Sequence, residues 1–247
     1  MIELDHLTRN FGDLIAVNDI SLTVHRGEFF AVLGPNAAGK TTTIRILAGL
    51  LKPTSGSARI AGFDVQRQPL EARKRLAYVP DFPFLYDKLT PWEFFRFIGQ
   101  LFHMDEAALQ KSARELIPRF NLEEYIGKPI EGLSHGTRQR VAIASALLHD
   151  PEVFVIDEPM VGLDPHHARV VKDILKERSL RGMTVFLSTH QLSVAEEMAD
   201  RIGIIHQGRL VAVGTREELR QLAGASGQLE QTFLALTAQN LNSTAAP

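Results

Sequence analysis

Eight residues, Gly34-Pro35-Asn36-Ala37-Ala38-Gly39-Lys40-Thr41, constrain this chain more than any other segment. They fit G-x4-G-K-[ST]. They follow a continuous apolar run, Phe29-Phe30-Ala31-Val32-Leu33, which reads as a strand buried on both faces. They precede a helical stretch from Lys40 to Leu51 that Pro53 and Ser55-Gly56 punctuate. A strand, a glycine-rich turn and a helix start place backbone N–H groups and the positive end of a helix dipole around one point, which suits a phosphate. In that pattern Lys40 reaches the β- and γ-phosphates and the Thr41 hydroxyl coordinates Mg2+. The expected nucleotide contact runs from Gly34 through Pro35, Asn36, Ala37, Ala38, Gly39, Lys40 and Thr41 to Thr42.

Later in the chain Val153-Phe154-Val155-Ile156 runs into Asp157-Glu158. A buried strand that ends in two carboxylates is costly unless a cation awaits them. In P-loop NTPases the Asp at this strand end supports Mg2+. Glu158 is then free to orient and polarise an attacking water, which is general-base work. Thr184-Val185-Phe186-Leu187 is a further buried strand, separated from the first by a helical segment from His166 to Leu180, and Gln207-Gly208 marks a hairpin. Strands that alternate with helices predict an α/β fold with a mostly parallel sheet. Between about 82 and 150 nothing reads as a strand. Thr90-Pro91-Trp92-Glu93 is a capping box and Asp105 a second helix cap, so this stretch is expected to be a helical insert.

Leu133-Ser134-His135-Gly136-Thr137-Arg138-Gln139-Arg140 resembles the signature motif of ABC ATPases, usually LSGGQ followed by a basic, Gln-Arg stretch. Other matches follow in the family's order. Phe11-Gly12 resembles the aromatic loop whose ring stacks on adenine, and Tyr78-Val79-Pro80-Asp81 resembles the Q-loop. Gly162-Leu163-Asp164-Pro165 resembles the D-loop, and Ser188-Thr189-His190 the switch loop. The resemblance covers about residues 1 to 220.

The resemblance implies a P-loop NTPase (RecA-like) core over 1–81 and 151–223 with an N-terminal antiparallel β subdomain. It also implies a helical subdomain over 82–150, with a tail over 224–247. It implies ATP and Mg2+ as cofactors, Lys40, Glu158 and His190 as catalytic groups, and Thr41, Asp157 and Asp81 at the metal. Ser134, His135, Gly136 and Thr137 would close over the nucleotide of a second ABC ATPase subunit, either a second copy or a paralogue, while Gly162, Leu163 and Asp164 cross between subunits. Four positions depart from the family pattern: Ala37 and His135 stand where glycine is usual, Asp81 where Gln or Glu is usual, and Met160 where Thr is usual. The signature and a Phe233-Leu234-Ala235-Leu236-Thr237 tail look most like ATPase subunits of bacterial ABC exporters, whose integral-membrane permease is a separate polypeptide.

Composition agrees. Among 247 residues, 27 Lys and Arg stand against 29 Asp and Glu, so the electrostatic footprint of a nucleic-acid binder is missing. With no cysteine, disulfides, thiolate metal sites and Cys nucleophiles are excluded. No apolar stretch approaches the ~20 residues that span a bilayer, so a cytoplasmic chain is expected, held peripherally at the membrane by the permease. The adjacent His166-His167 pair lacks a shared helix face for a metal. Arg67, Arg73, Lys74 and Arg75 read as a solvated face, and Trp92, Phe94, Phe95 and Phe97 as core with some surface for a permease. Two alternatives stay open: a non-transport ABC ATPase acting in translation or DNA maintenance, and a degenerate nucleotide-gated binding module.

Overall fold

The computed structural model describes residues 1–222 and positions 231, 233 and 234. The expected tail over 224–247 otherwise lies outside the described residues. In chain order the elements are β1 (Ile2–Phe11), β2 (Leu14–Val24), β3 (Phe29–Leu33), α1 (Lys40–Leu47), β4 (Ser55–Ile60), β5 (Phe63–Asp64), α2 (Pro69–Lys74) and β6 (Leu76–Val79). There follow α3 (Pro91–Leu101), α4 (Glu106–Arg119), a 3-10 turn (Ile130–Gly132) and α5 (His135–Leu147). The last group is β7 (Val153–Asp157), α6 (Pro165–Leu180), β8 (Thr184–Thr189), α7 (Leu192–Met198), β9 (Arg201–His206), β10 (Arg209–Gly214) and α8 (Arg216–Leu222).

Two sheets form. The antiparallel one has the order β2-β1-β4-β5, and the larger has the order β10-β9-β3-β8-β7-β6. Its strands β9, β3, β8, β7 and β6 are parallel, with β10 closing the edge as an antiparallel hairpin partner of β9. The alternation of side chains along each central strand divides the interior in two. Phe29, Ala31 and Leu33 of β3, with Phe154 and Ile156 of β7, face a core shared with Phe95 of α3, Leu116 of α4 and Val141 of α5. Phe30, Val32, Val153 and Val155 face the other way, onto Ile44 and Leu47 of α1 and Ile2, Leu7 and Val17 of the antiparallel sheet. Both faces of the parallel sheet are therefore dry, as the unbroken apolar runs require. The helical stretch is fastened by side-chain caps: Thr90 and Glu93 form the reciprocal capping box of α3, and the Asp105 carboxylate accepts the Ala108 N–H of α4.

Some elements differ from expectation. The helix after Lys40 ends at Leu47, and Gly49, at φ 66°, follows it. Strands β4, β5 and β6 and helix α2 lack a clean period in sequence. Of the basic group, Arg67, Arg73 and Lys74 are exposed and Arg75 is half-buried. Arg75 pairs with Glu71 and Glu152 and lies over the Phe63 ring, and Arg73 donates to the Gly49 carbonyl. Phe94 and Phe95 are buried, whereas Phe97 is partly exposed and meets Tyr86 edge to face.

Candidate nucleotide site

The phosphate loop joins the C-terminal end of β3 to α1. Gly39 caps α1 at φ 108°, and a Cβ there would lie 2.4 Å from the Ala16 carbonyl oxygen of β2, so no other residue fits. The loop is braced from the side as well, since the Gly208 N–H donates to the Ala38 carbonyl and the Asn18 N–H to the Gly208 carbonyl. Pro35, Asn36 and Ala37 are exposed, whereas Ala38, Gly39 and Lys40 are buried. Ala37 adopts φ 61°, so the Cβ that replaces the family's usual hydrogen sits in the left-handed region. That conformation costs an L-residue about 1–2 kcal/mol.

Lys40 turns back over this loop, and its Nζ donates to the carbonyls of Gly34 at 2.7 Å and Pro35 at 3.0 Å. Burial pushes its ammonium below the ordinary lysine range, and the Glu158 and Asp157 carboxylates work against that shift. Glu158 Oε1 lies 3.8 Å from Lys40 Nζ and 2.9 Å from His190 Nδ1. The three groups assigned to catalysis thus form one cluster at the C-terminal edge of β3, β7 and β8. Glu158 reaches it through a left-handed backbone, φ 46°, while its N–H donates to the Ser188 carbonyl.

Asp157 is 1% exposed at the end of β7. Its Oδ1 accepts a hydrogen bond from the Ser188 hydroxyl, while Oδ2 is buried without a hydrogen-bond partner. An orphaned anionic oxygen is expensive unless a cation or its bound water comes to it. The donor chemistry therefore fits Mg2+, with Thr41 at the start of α1 as the companion hydroxyl. The phenol of Tyr78, at the end of the neighbouring β6, is pushed up to about 12 by burial first and then by Asp157. Asp81 is exposed, and its carboxylate accepts the N–H of Phe82. Phe11 stands at the tip of the β1–β2 hairpin, opposite Leu14, half exposed, with the Arg9 guanidinium 4.5 Å from its ring centre.

The signature residues assemble a second surface. Ser134 caps α5, accepting the Thr137 N–H, and Arg140 ties the cap down by donating to Thr137 Oγ1 and to the carbonyls of Phe120 and Asn121. The His135 ring packs against the Phe82 ring and against Gly162, where a Cβ would fall 2.2 Å from His135 Cδ2. Gly162 needs its missing side chain twice, since its φ is also 77°. Leu163 leans on the main core, and Asp164 caps α6 by accepting the His167 N–H at 3.0 Å. The His167 hydrogen bond holds the Asp164 carboxyl down at about 2. Sequence reasoning missed Ser188 as the partner of Asp157; a hydroxyl in the buried run of β8 was the available signal, because it needs a partner.

A parallel sheet with a lysine-bearing glycine loop after β3, and an Asp-Glu pair at the end of β7 with β8 between the two strands, is the architecture of a phosphate-loop nucleoside triphosphatase. The comparisons are more specific. The family model described as ABC transporter matches residues 17–161. The linearmycin resistance ATP-binding protein LnrL of Bacillus subtilis (strain 168) is 33% identical over 242 residues, 98% of this chain and 76% of its own. The Nod factor export ATP-binding protein I of Cupriavidus pinatubonensis is 36% identical over 219 residues, 89% of this chain and 67% of its own. Among solved structures, an ATP binding subunit of an ABC transporter superposes with a TM-score of 0.92 at 33% identity, covering 96% of this chain and 99% of that one. The dimeric cassette MJ0796, in a post-hydrolysis state bound to ADP and Pi, gives 0.80 at 27% identity, covering 87% and 98%. The chain belongs to the ABC transporter family, as its ATP-binding, ATP-hydrolysing subunit.

Proposed function

We propose that this subunit drives an exporter whose permease is a separate chain, and that its hydrolytic site is composite, formed by two cassettes. The observation that carries the reading is the Lys40–Glu158–His190 cluster beside the orphaned Asp157 oxygen. Lys40 exchanges the Gly34 and Pro35 carbonyls for β- and γ-phosphate oxygens, and the N-terminus of α1 adds its dipole. Thr41 and Asp157 would hold Mg2+, which would supply charge neutralisation at the phosphates. Glu158 accepts a proton from the attacking water, and His190 keeps that carboxylate oriented and faces the γ-phosphate. Phosphoryl transfer asks for positioning and charge more than for covalent chemistry, and these side chains provide both.

The start of α5, with Ser134 and Gly136, offers a second set of backbone donors that this chain's own nucleotide does not need. It serves the nucleotide of a partner cassette, and the packing of His135 on Gly162 makes signature and D-loop one surface. Dimeric cassettes among the solved relatives support this reading. The unit 82–150 acts as the arm that meets the permease. Phe82, Phe84 and Tyr86 are exposed there, beside Phe97. Patches of this kind on a soluble chain mark interaction surfaces. Among the described residues no helix is long and apolar enough to cross a membrane. Export is supported by relatives named for drug resistance and Nod factor export. Purification from membranes tests it: a hydrophobic subunit should accompany the chain, whereas ribosomes or DNA would favour a non-transport role. Absence of Mg-dependent ATPase activity in that complex would favour a binding module.

A further inference from the structure

Ser188 lies on β8 directly opposite Asp157 of β7 in the parallel register, and both are buried, at 0% and 1% exposure. Its hydroxyl donates to Asp157 Oδ1, and its carbonyl accepts the Glu158 N–H at 3.1 Å. One residue therefore touches both acidic positions, through different atoms. The side-chain bond fixes which oxygen of Asp157 is occupied, leaving Oδ2 as the buried atom with no partner. The main-chain bond anchors the left-handed turn, φ 46°, that brings the Glu158 side chain between Lys40 and His190.

We infer that Ser188 is a positioning residue that presents Asp157 Oδ2 to the metal site while its backbone independently fixes Glu158. The inference rests on the reading of Asp157 as the Mg2+-supporting carboxylate. Outer hydrogen bonds of this kind orient a carboxylate, and their loss typically weakens metal affinity about 10–100-fold. A hydroxyl that merely satisfied itself inside β8 would leave metal binding alone. The two roles separate on mutation, because Ser188→Ala removes the hydroxyl and keeps the carbonyl.

The test is Mn2+ binding to the full chain with adenylyl imidodiphosphate, followed by electron paramagnetic resonance, beside binding of the same nucleotide in EDTA. Ser188→Ala should weaken Mn2+ about 10-fold or more and leave metal-free nucleotide affinity unchanged, and Ser188→Thr should restore the metal. Unchanged Mn2+ affinity in Ser188→Ala overturns the inference. So does a parallel loss of metal and metal-free nucleotide that Ser188→Thr fails to restore, because that pattern reports only a damaged fold. Asp157→Asn separates the two levels. If it weakens Mn2+ while Ser188→Ala does not, the Ser188 role alone fails; if it too leaves Mn2+ unchanged, the metal reading of Asp157 fails and takes the inference with it.

Discussion

The Glu158 carboxylate stands 3.8 Å from the Lys40 ammonium, bridging the strand end of β7 to the first residue of α1. Both are largely buried, so the pair links the two halves of the site in surroundings where charges interact more strongly than in water. Lys40 is also the residue proposed to exchange its carbonyl partners, Gly34 and Pro35, for phosphate oxygens. Lys40→Ala should lower ATP affinity about 10-fold or more, since a charge-assisted contact to phosphate is lost. Equilibrium binding to the metal-free chain checks this, and unchanged affinity would remove Lys40 from the phosphates.

Ala37 makes the opposite kind of prediction, a gain. Its φ of 61° favours glycine, and Ala37→Gly relieves strain of about 1–2 kcal/mol against about 0.4–1 kcal/mol of added unfolded-state entropy. Chemical denaturation should show a variant as stable as the parent or up to about 1.6 kcal/mol more stable, with nucleotide affinity kept. A clear loss of stability would contradict the left-handed backbone at this position.

Ser134 tests the composite site. Ser134→Ala removes the cap of α5, at a typical cost of about 0.5–2 kcal/mol. Binding of ATP by the isolated chain should persist, while ATP-driven dimerisation and turnover fall together. Equal loss of the chain's own nucleotide binding would mean that the signature serves the same subunit.

His149 supplies a pH dependence. Its ring stacks on Phe102 with centroids 3.6 Å apart, and burial pushes it down to about 4. In the unfolded chain it titrates near the ordinary histidine value of 6.5, so between those values the unfolded state binds the extra proton. Stability from this site is whole above pH 6.5 and drains away as pH falls toward 4. Thermal unfolding followed from pH 7.5 to 4.5 should show a steeper acid-side loss in the parent than in His149→Phe. Parallel curves would show that His149 is not held neutral.

Much of this was legible in the residues. The apolar runs at 29–33 and 153–156 gave two strands because both faces of the sheet are covered, and no polar alternation interrupts them. Thr90 and Asp105 announced two helix starts through their caps. Beside these, β4 and β6 escaped notice because Ser55-Gly56 reads as a turn and Leu76-Ala77-Tyr78-Val79 is too short to carry a period. The site residues that came from motifs, Lys40, Glu158 and His190, do converge. Their geometry did not follow from spacing, because it depends on the order of β3, β8 and β7, which is set by long-range pairing. The Ser188–Asp157 bond is of the same kind, joining residues 31 apart that meet only when β7 and β8 lie side by side. The packing of His135 on Gly162 likewise needs the signature and D-loop to meet in three dimensions.

In the proposed reading Glu158 is the base of an ATP-driven dimeric motor, and Glu158→Gln isolates that role from nucleotide binding. Removal of a general base typically costs about 100–10,000-fold in rate. The full-length variant should bind ATP as the parent does, hydrolyse it at least about 100-fold more slowly and accumulate as an ATP-dependent dimer in sedimentation velocity. Hydrolysis at the parental rate would contradict the account.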